Sequence, residues 1–257
     1  MSRRLDTRLG QHFLMHPAIA RRIVHVAQVS PGELVLEVGP GKGMLTRALL
    51  AEGVRVVAVE ADARLANGLA ETFASQLAEG ALVLVNGDIR EYLAGEASEL
   101  LVPYRVVANI PYYLTGELIR LLLTRMHQPA SMTLLVQKEV AVRIVAKNKK
   151  ESLLSLSVKV YGEPYYEFMV PRGAFIPAPK VDSAVLSIGN ISRGNFATSA
   201  EEDRFFAFIH AGFGHKRKRL GKNLVEAGLP SAGVLDDARA EDLALEDWLT
   251  LNKLEEF

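Results

Sequence analysis

Four consecutive residues, Asn109-Ile110-Pro111-Tyr112, have the chemistry to hold a flat, amine-bearing base. The Asn amide and a neighbouring backbone carbonyl can accept hydrogen bonds, and Tyr112 offers a stacking face. Proline stiffens the loop and removes a competing N–H. These residues close an apolar, β-branched run beginning at Arg105, which reads as a buried strand emptying into a shaped loop. The carboxyl end of a strand in an α/β sheet is where ligands bind.

Three other strand candidates end in groups that suit one composite site. Leu34–Val38 runs into Gly39-Pro40-Gly41-Lys42-Gly43 and then a helical stretch to about Ala51, a nucleotide-binding opening. The spacing is G-x-G-x-G, so it is neither the dinucleotide fingerprint nor a P-loop; the glycines suit close backbone approach to a ligand without a pyrophosphate. Val54–Val59 ends at Glu60, 21 residues after Gly39, where a carboxylate can accept from ribose hydroxyls. Leu82–Val85 ends in Asn86-Gly87-Asp88-Ile89. Asp88 suits either an exocyclic adenine amine or the stabilisation of an Asx turn. Gly39, Glu60, Asp88 and Asn109 in register point to a nucleoside ligand beside the base-holding loop.

The elements that must position these groups follow from periodicity. Helices are expected over about 17–29, 62–78, 115–126, the first part of 139–150, and 152–160, the last covering the sheet. Strands are expected at 132–136, 167–170 and 183–188. Two prolines pin the connection Gly173–Val181 in an extended shape and present Phe175. The result is an α/β, Rossmann-like, mostly parallel sheet of about seven strands with a small C-terminal all-helical domain. The expected boundaries are 1–189 with a basic arm at 1–15, a Gly/Ser/Asn linker at 190–199, and a helical domain at 200–257.

Charge is balanced overall, with 30 Lys+Arg against 30 Asp+Glu, but it is unevenly spread. Basic clusters fall at 3–8, at 143–150 (Arg143, Lys147, Lys149, Lys150) and at 215–222 (Lys216, Arg217, Lys218, Arg219, Lys222), while residues from Asp236 onward carry eight acids and two bases. A solvated helix face can look similar, yet three separate clusters favour an RNA or DNA partner. The absence of cysteine excludes disulfides, thiolate metal sites and Cys nucleophiles. His12 and His16 lack a metal-binding context, so no metal is expected. No signal core or membrane-length apolar run occurs, and a cytoplasmic protein is expected.

The ordered motif set resembles that of the rRNA adenine N6-dimethyltransferases over almost the whole chain. It comprises Gln11-His-Phe-Leu14, Glu37-Val-Gly-Pro-Gly-Lys-Gly43, Glu60, Gly87-Asp88, Asn109-Ile-Pro-Tyr-Tyr113 and Phe175-Ile-Pro-Ala-Pro-Lys-Val-Asp-Ser-Ala184. His215–Leu224 and Arg239–Trp248 resemble the helical domain of the small-subunit branch. The resemblance implies an S-adenosylmethionine-dependent methyltransferase sheet, with S-adenosylhomocysteine as product. Cofactor contacts carry over to His12, Leu14, Gly39, Glu60, Asp88 and Asn109, with Gln11, Gly41 and Ile89 as neighbours. The implied substrate is two adjacent adenosines in the 3′-terminal hairpin of 16S rRNA in a late small-subunit assembly particle, modified by a monomer. Tyr112 and Phe175 would hold the flipped base. Large-subunit rRNA, DNA, or a non-catalytic assembly role are the alternatives; retention of Glu60, Asp88 and Asn109 argues for catalysis.

Overall fold

The computed structural model describes residues 12–95, 97–146, 149–215, 217–231 and 238–253. The order of elements is β1 (Phe13–Leu14), α1 (Pro17–Ala27), β2 (Leu34–Val38), α2 (Met44–Ala51), β3 (Arg55–Glu60), α3 (Ala63–Thr72), α4 (Ala74–Ala78), β4 (Leu82–Asn86), α5 (Ile89–Ala94), β5 (Tyr104–Asn109), α6 (Thr115–Thr124), β6 (Ser131–Gln137), α7 (Lys138–Val145), α8 (Leu153–Lys159), β7 (Glu163–Val170), β8 (Phe175–Ile176), β9 (Ser183–Gly189), α9 (Ser199–Gly212), α10 (Leu220–Glu226) and α11 (Leu245–Asn252). The chain divides into two compact units, one of residues 1–141 and 165–191, the other of 142–164 and 192–257.

The first unit carries a seven-stranded sheet in the order β4-β3-β2-β5-β6-β9-β7. Pairing is parallel from β4 through β6 and antiparallel between β6 and β9. The central strands are buried, as expected of β-branched runs covered on both faces by crossover helices. On α1, Ala20, Ile23, Val24 and Ala27 form the buried stripe that the sequence predicts. The expected helix 62–78 is broken at Phe73, whose buried ring packs beneath the glycine loop. A Cβ at Gly43, where φ is +74°, would lie 2.6 Å from that ring. Glycine is therefore required there both by φ and by space.

Three elements differ from expectation. β1 and β8 form a separate antiparallel pair, Phe13 opposite Ile176 and Leu14 opposite Phe175. Two-residue strands carry no periodicity, so neither was visible. Helix α8, expected to cover the sheet, belongs to the second unit, where Tyr161 beyond its end stacks on Phe206 of α9 (ring centroids 6.1 Å apart) and donates a hydrogen bond to Glu202. Residues 142–164 thus join the helical unit through an aromatic cluster, and a single cut at 190–199 does not describe the partition. The core of that unit is Phe205, Phe208, Ile209, Leu220, Leu224 and Trp248.

Candidate active site

The carboxyl ends of β2, β3 and β5 converge on one cavity in the first unit, lined by Gly39, Gly41, Glu60 and Asn109 to Tyr112, with His12, Phe13 and Leu14 along one side. Its free space is about 70 Å³. Ligand sites for drug-sized molecules hold roughly 300–1,000 Å³, so a nucleoside enters this conformation only with movement of the lining.

The acid and the glycine loop are joined directly. Glu60 ends β3 and is buried, and its two oxygens accept from the amides of Gly41 and Asp62, each at 3.0 Å. Burial raises its pKa, and those two amides pull it back. The Gly39 amide donates to Val59 O at 2.9 Å, which locks the loop to β3. A Cβ on Gly39, at φ +65°, would meet only Pro111 Cδ, at 4.0 Å. The space between the glycine loop and the Asn109 loop is therefore what the missing side chain leaves open.

Asn109 is oriented by a residue 97 positions away. Its Nδ2 donates to the His12 carbonyl at 3.0 Å, which leaves Oδ1 as the free acceptor. The His12 ring donates from Nδ1 to Pro177 O at 2.7 Å, so the segment that holds Asn109 is itself tied down. Pro111 O accepts from the Leu114 amide at 2.9 Å, whereas Ile110 O has no partner among the described residues. Of the two backbone carbonyls beside Asn109, Ile110 is the available acceptor. The Tyr112 hydroxyl shares a 2.8 Å hydrogen bond with the Ser183 hydroxyl, and its ring lies 5.6 Å from that of His12, which fixes its plane.

Sequence reasoning quoted Glu37 within the glycine-loop motif but gave it no role. It is the fourth residue of fully buried β2 and lines the cavity, yet neither carboxylate oxygen makes a hydrogen bond of good geometry among the described residues. Burial pushes its pKa up to about 8, Thr46 pulls the other way, and Glu60 adds a smaller push upward. The available signal was a charged residue inside an otherwise apolar strand. The folded chain keeps this proton to about pH 8, while the unfolded chain releases it near 4.5. Stability from this group is therefore complete below 4.5 and falls as pH rises towards 8. Glu37→Gln is expected to stabilise the ligand-free protein at pH 8, on the order of a few kcal/mol, and to flatten its pH–Tm profile between 5 and 8. A variant with the parental profile would mean that Glu37 is ionised in the fold.

The family model for ribosomal RNA adenine dimethylase matches residues 2–256. The chain belongs to the ribosomal RNA adenine dimethylase family. It is 39% identical over 253 residues to ribosomal RNA small subunit methyltransferase A of Dehalococcoides mccartyi, covering 95% of this chain and 86% of the relative. To the protein of the same name from Caulobacter vibrioides it is 40% identical over 248 residues, 94% of each. Its fold matches the crystal structure of the 23S rRNA methyltransferase ErmE with TM-score 0.75 and 26% identity, over 94% of this chain and 98% of that one. A dimethyladenosine transferase from Plasmodium falciparum matches with TM-score 0.76 and 24% identity, over 93% and 96%.

Not every residue singled out for this dimethylase-family site lies at the cavity. Asp88 caps α5 by accepting from the Arg90 amide, and its carboxylate is gripped by the Arg90 guanidinium, which together hold its pKa below the usual range. The cap expected of an Asx residue is present in the fold, and Ile89 follows as the first, buried residue of α5. Phe175 is corrected: it is only 2% exposed, in the core cluster with Leu14 and Ala174, and presents no open face. The exposed aromatic beside the loop is Tyr113, at 64%.

Gln11, Lys147, Lys216 and the arm residues Arg3, Arg4 and Arg8 lie outside the described residues. Arg143, Lys149, Arg217, Arg219 and Lys222 are exposed in the second unit. Two neighbouring cations are engaged there: Lys150 with Glu241 and Asp242, and Lys218 with Glu226 at 2.7 Å. Among the described residues no cluster of His, Asp and Glu could hold a metal, and no helix is long and apolar enough to cross a membrane.

Proposed function

We infer that this chain is an S-adenosylmethionine-dependent methyltransferase acting on N6 of adenosine in small-subunit rRNA. The observation that carries the reading is a single cavity lined by both the Glu60-tethered glycine loop and the Asn109–Tyr112 loop. The relatives named for small-subunit methylation cover nearly the whole chain, including the helical unit. Two adjacent adenosines of the 3′-terminal hairpin, a late assembly particle, a cytoplasmic setting and a monomeric enzyme complete the proposal.

The residues present fit the cofactor by their chemistry. Glu60 has lone pairs left for ribose hydroxyls, the open face of Gly39 admits close backbone approach, and the orphaned Glu37 carboxyl would be satisfied by an ammonium group. When bound, S-adenosylmethionine supplies an electrophilic methyl group on a sulfonium. The protein's task is to aim a poor nucleophile, because the N6 lone pair of adenine is delocalised into its ring. Asn109 Oδ1 and Ile110 O accept the two N6 hydrogens, which draws the nitrogen towards sp3 and directs its lone pair. Tyr112 holds one face of the extruded base. No general base is required, since the alkylated amine is acidic and passes its proton to solvent. After one transfer a single N6 hydrogen remains, so one acceptor must tolerate a methyl group for the second.

The direct test is methyl transfer by the purified protein to small subunits that lack the modification. Incorporation of up to four methyls per subunit, two on each adenosine, is expected; incorporation only into large-subunit RNA or DNA would redirect the reading. The basic face gives a second check. Replacing Arg143, Lys149, Arg217 and Lys222 by Ala should weaken RNA binding. It should also reduce the slope of log K against log salt by roughly 0.7–0.9 for each phosphate that is no longer neutralised. An unchanged slope would move the RNA surface elsewhere.

A further inference from the structure

The second unit contains a cavity of its own, about 440 Å³, that the methyl-transfer chemistry does not use. One wall is apolar, made by Leu153, Leu154 and Phe213. The Phe213 ring is backed by Trp248, with centroids 5.9 Å apart and planes inclined 23°, so its plane is fixed. The polar lining includes Arg143, Glu151 and Lys218. Lys218 is already paired with Glu226, but Arg143 is exposed and makes no ion pair among the described residues.

Glu151 makes the cavity a site rather than a dent. Its Oε1 accepts from Lys159 Nζ at 2.5 Å, and its amide donates to Glu241 O at 2.8 Å, so the residue is held in place. Its Oε2 is buried and has no partner among the described residues. A buried carboxylate oxygen without a donor is costly; a ligand N–H in the cavity that Glu151 lines removes that cost once the carboxylate turns towards it. A fixed aromatic on an apolar wall suits a planar ring, an unpaired carboxylate oxygen suits an amino group on that ring's edge, and a free guanidinium suits a phosphate. The ligand with all three is a nucleotide whose base carries an exocyclic amine.

We propose that this cavity receives one unstacked adenosine, cytidine or guanosine nucleotide of the RNA substrate, its base on Leu153, Leu154 and Phe213, its amine donating to the Glu151 carboxylate, and its phosphate meeting Arg143. This rests on the reading of the substrate as RNA, and it adds a base-specific anchor remote from the adenine being methylated. Uridine is the weaker ligand by chemistry: its O4 would face the carboxylate where cytidine presents N4–H₂, and only its N3–H is left to donate.

The test is nucleotide binding to the full chain, followed by NMR or calorimetry with S-adenosylhomocysteine present to fill the first unit's cavity. AMP, CMP and GMP should each bind about tenfold tighter than UMP. Glu151→Gln, which keeps the side chain's shape and an acceptor for Lys159, should erase that preference. Arg143→Ala should weaken CMP but not the nucleoside cytidine. Leu154→Arg, which fills the cavity, should abolish binding, with unfolding midpoints measured to confirm that each variant is folded. Equal affinity for CMP and UMP, a preference that survives Glu151→Gln, or no binding at all would overturn the proposal. Its failure is separable from that of the function: if wild-type protein methylates small-subunit RNA and Glu151→Gln binds that RNA with parental affinity, only the nucleotide site is wrong.

Discussion

Asn109→Ala is expected to lower methyl transfer by on the order of 10²–10³-fold while leaving RNA affinity nearly unchanged. The substitution removes the Oδ1 acceptor, and with it one of the two groups that turn the N6 lone pair towards the methyl group. It also releases the His12 carbonyl, which now accepts from Asn109 Nδ2 at 3.0 Å. Asn109→Asp separates these effects. It restores an acceptor but sets a carboxylate against the His12 carbonyl, so the loop loses its tether even though an oxygen remains. Single-turnover rates with saturating RNA should be low for both variants. An Ala variant with near-parental single-turnover rates would remove Asn109 from the chemistry and leave the loop as a structural turn.

Glu60→Gln should weaken binding of the methyl donor by about 10²-fold or more, because hydrogen bonds to a charged group contribute about 1.5–3 kcal/mol each. The change is not conservative here. Glu60 accepts from two amides, Gly41 N and Asp62 N, so a Gln must turn its own NH₂ towards one of those donors. The glycine loop then loses its tie to β3, and a ribose would lose an ionised acceptor. Calorimetric titration with S-adenosylhomocysteine reads this directly, and RNA binding serves as the control. Parental affinity in the variant would mean that the ribose is gripped by another residue.

Much of the framework was legible because its signals are local. Runs such as Val56–Val59 and Val106–Ala108 are buried strand segments by composition alone, and the glycine loop and Glu60 stand at the expected ends of β2 and β3. The register of strand-end groups followed, since parallel neighbours place their carboxyl ends on one edge. What was hidden depends on distant pairing. Nothing local shows that His12 O turns the Asn109 amide, or that Leu14 lies opposite Phe175 and buries it. The bond between Asp88 and Arg90 is local, and it was visible only as one of two alternatives, because a cap and a ligand contact use the same carboxylate. Arg143 and Lys218 belong to two basic runs 75 residues apart, and only the fold shows that they line one cavity. The unit boundary failed for a similar reason: Tyr161 is an ordinary aromatic in sequence, and its stacking on Phe206 assigns residues 142–164 to the helical unit.

Dimethylation of adenosine in small-subunit rRNA by this chain is best tested by mass spectrometry of that RNA. The 3′-terminal hairpin should be compared between cells with the protein and cells lacking it. N6,N6-dimethyladenosine is expected at two adjacent positions in the first and unmodified adenosine at both in the second. Dimethyladenosines that persist in cells lacking the protein would overturn the assignment.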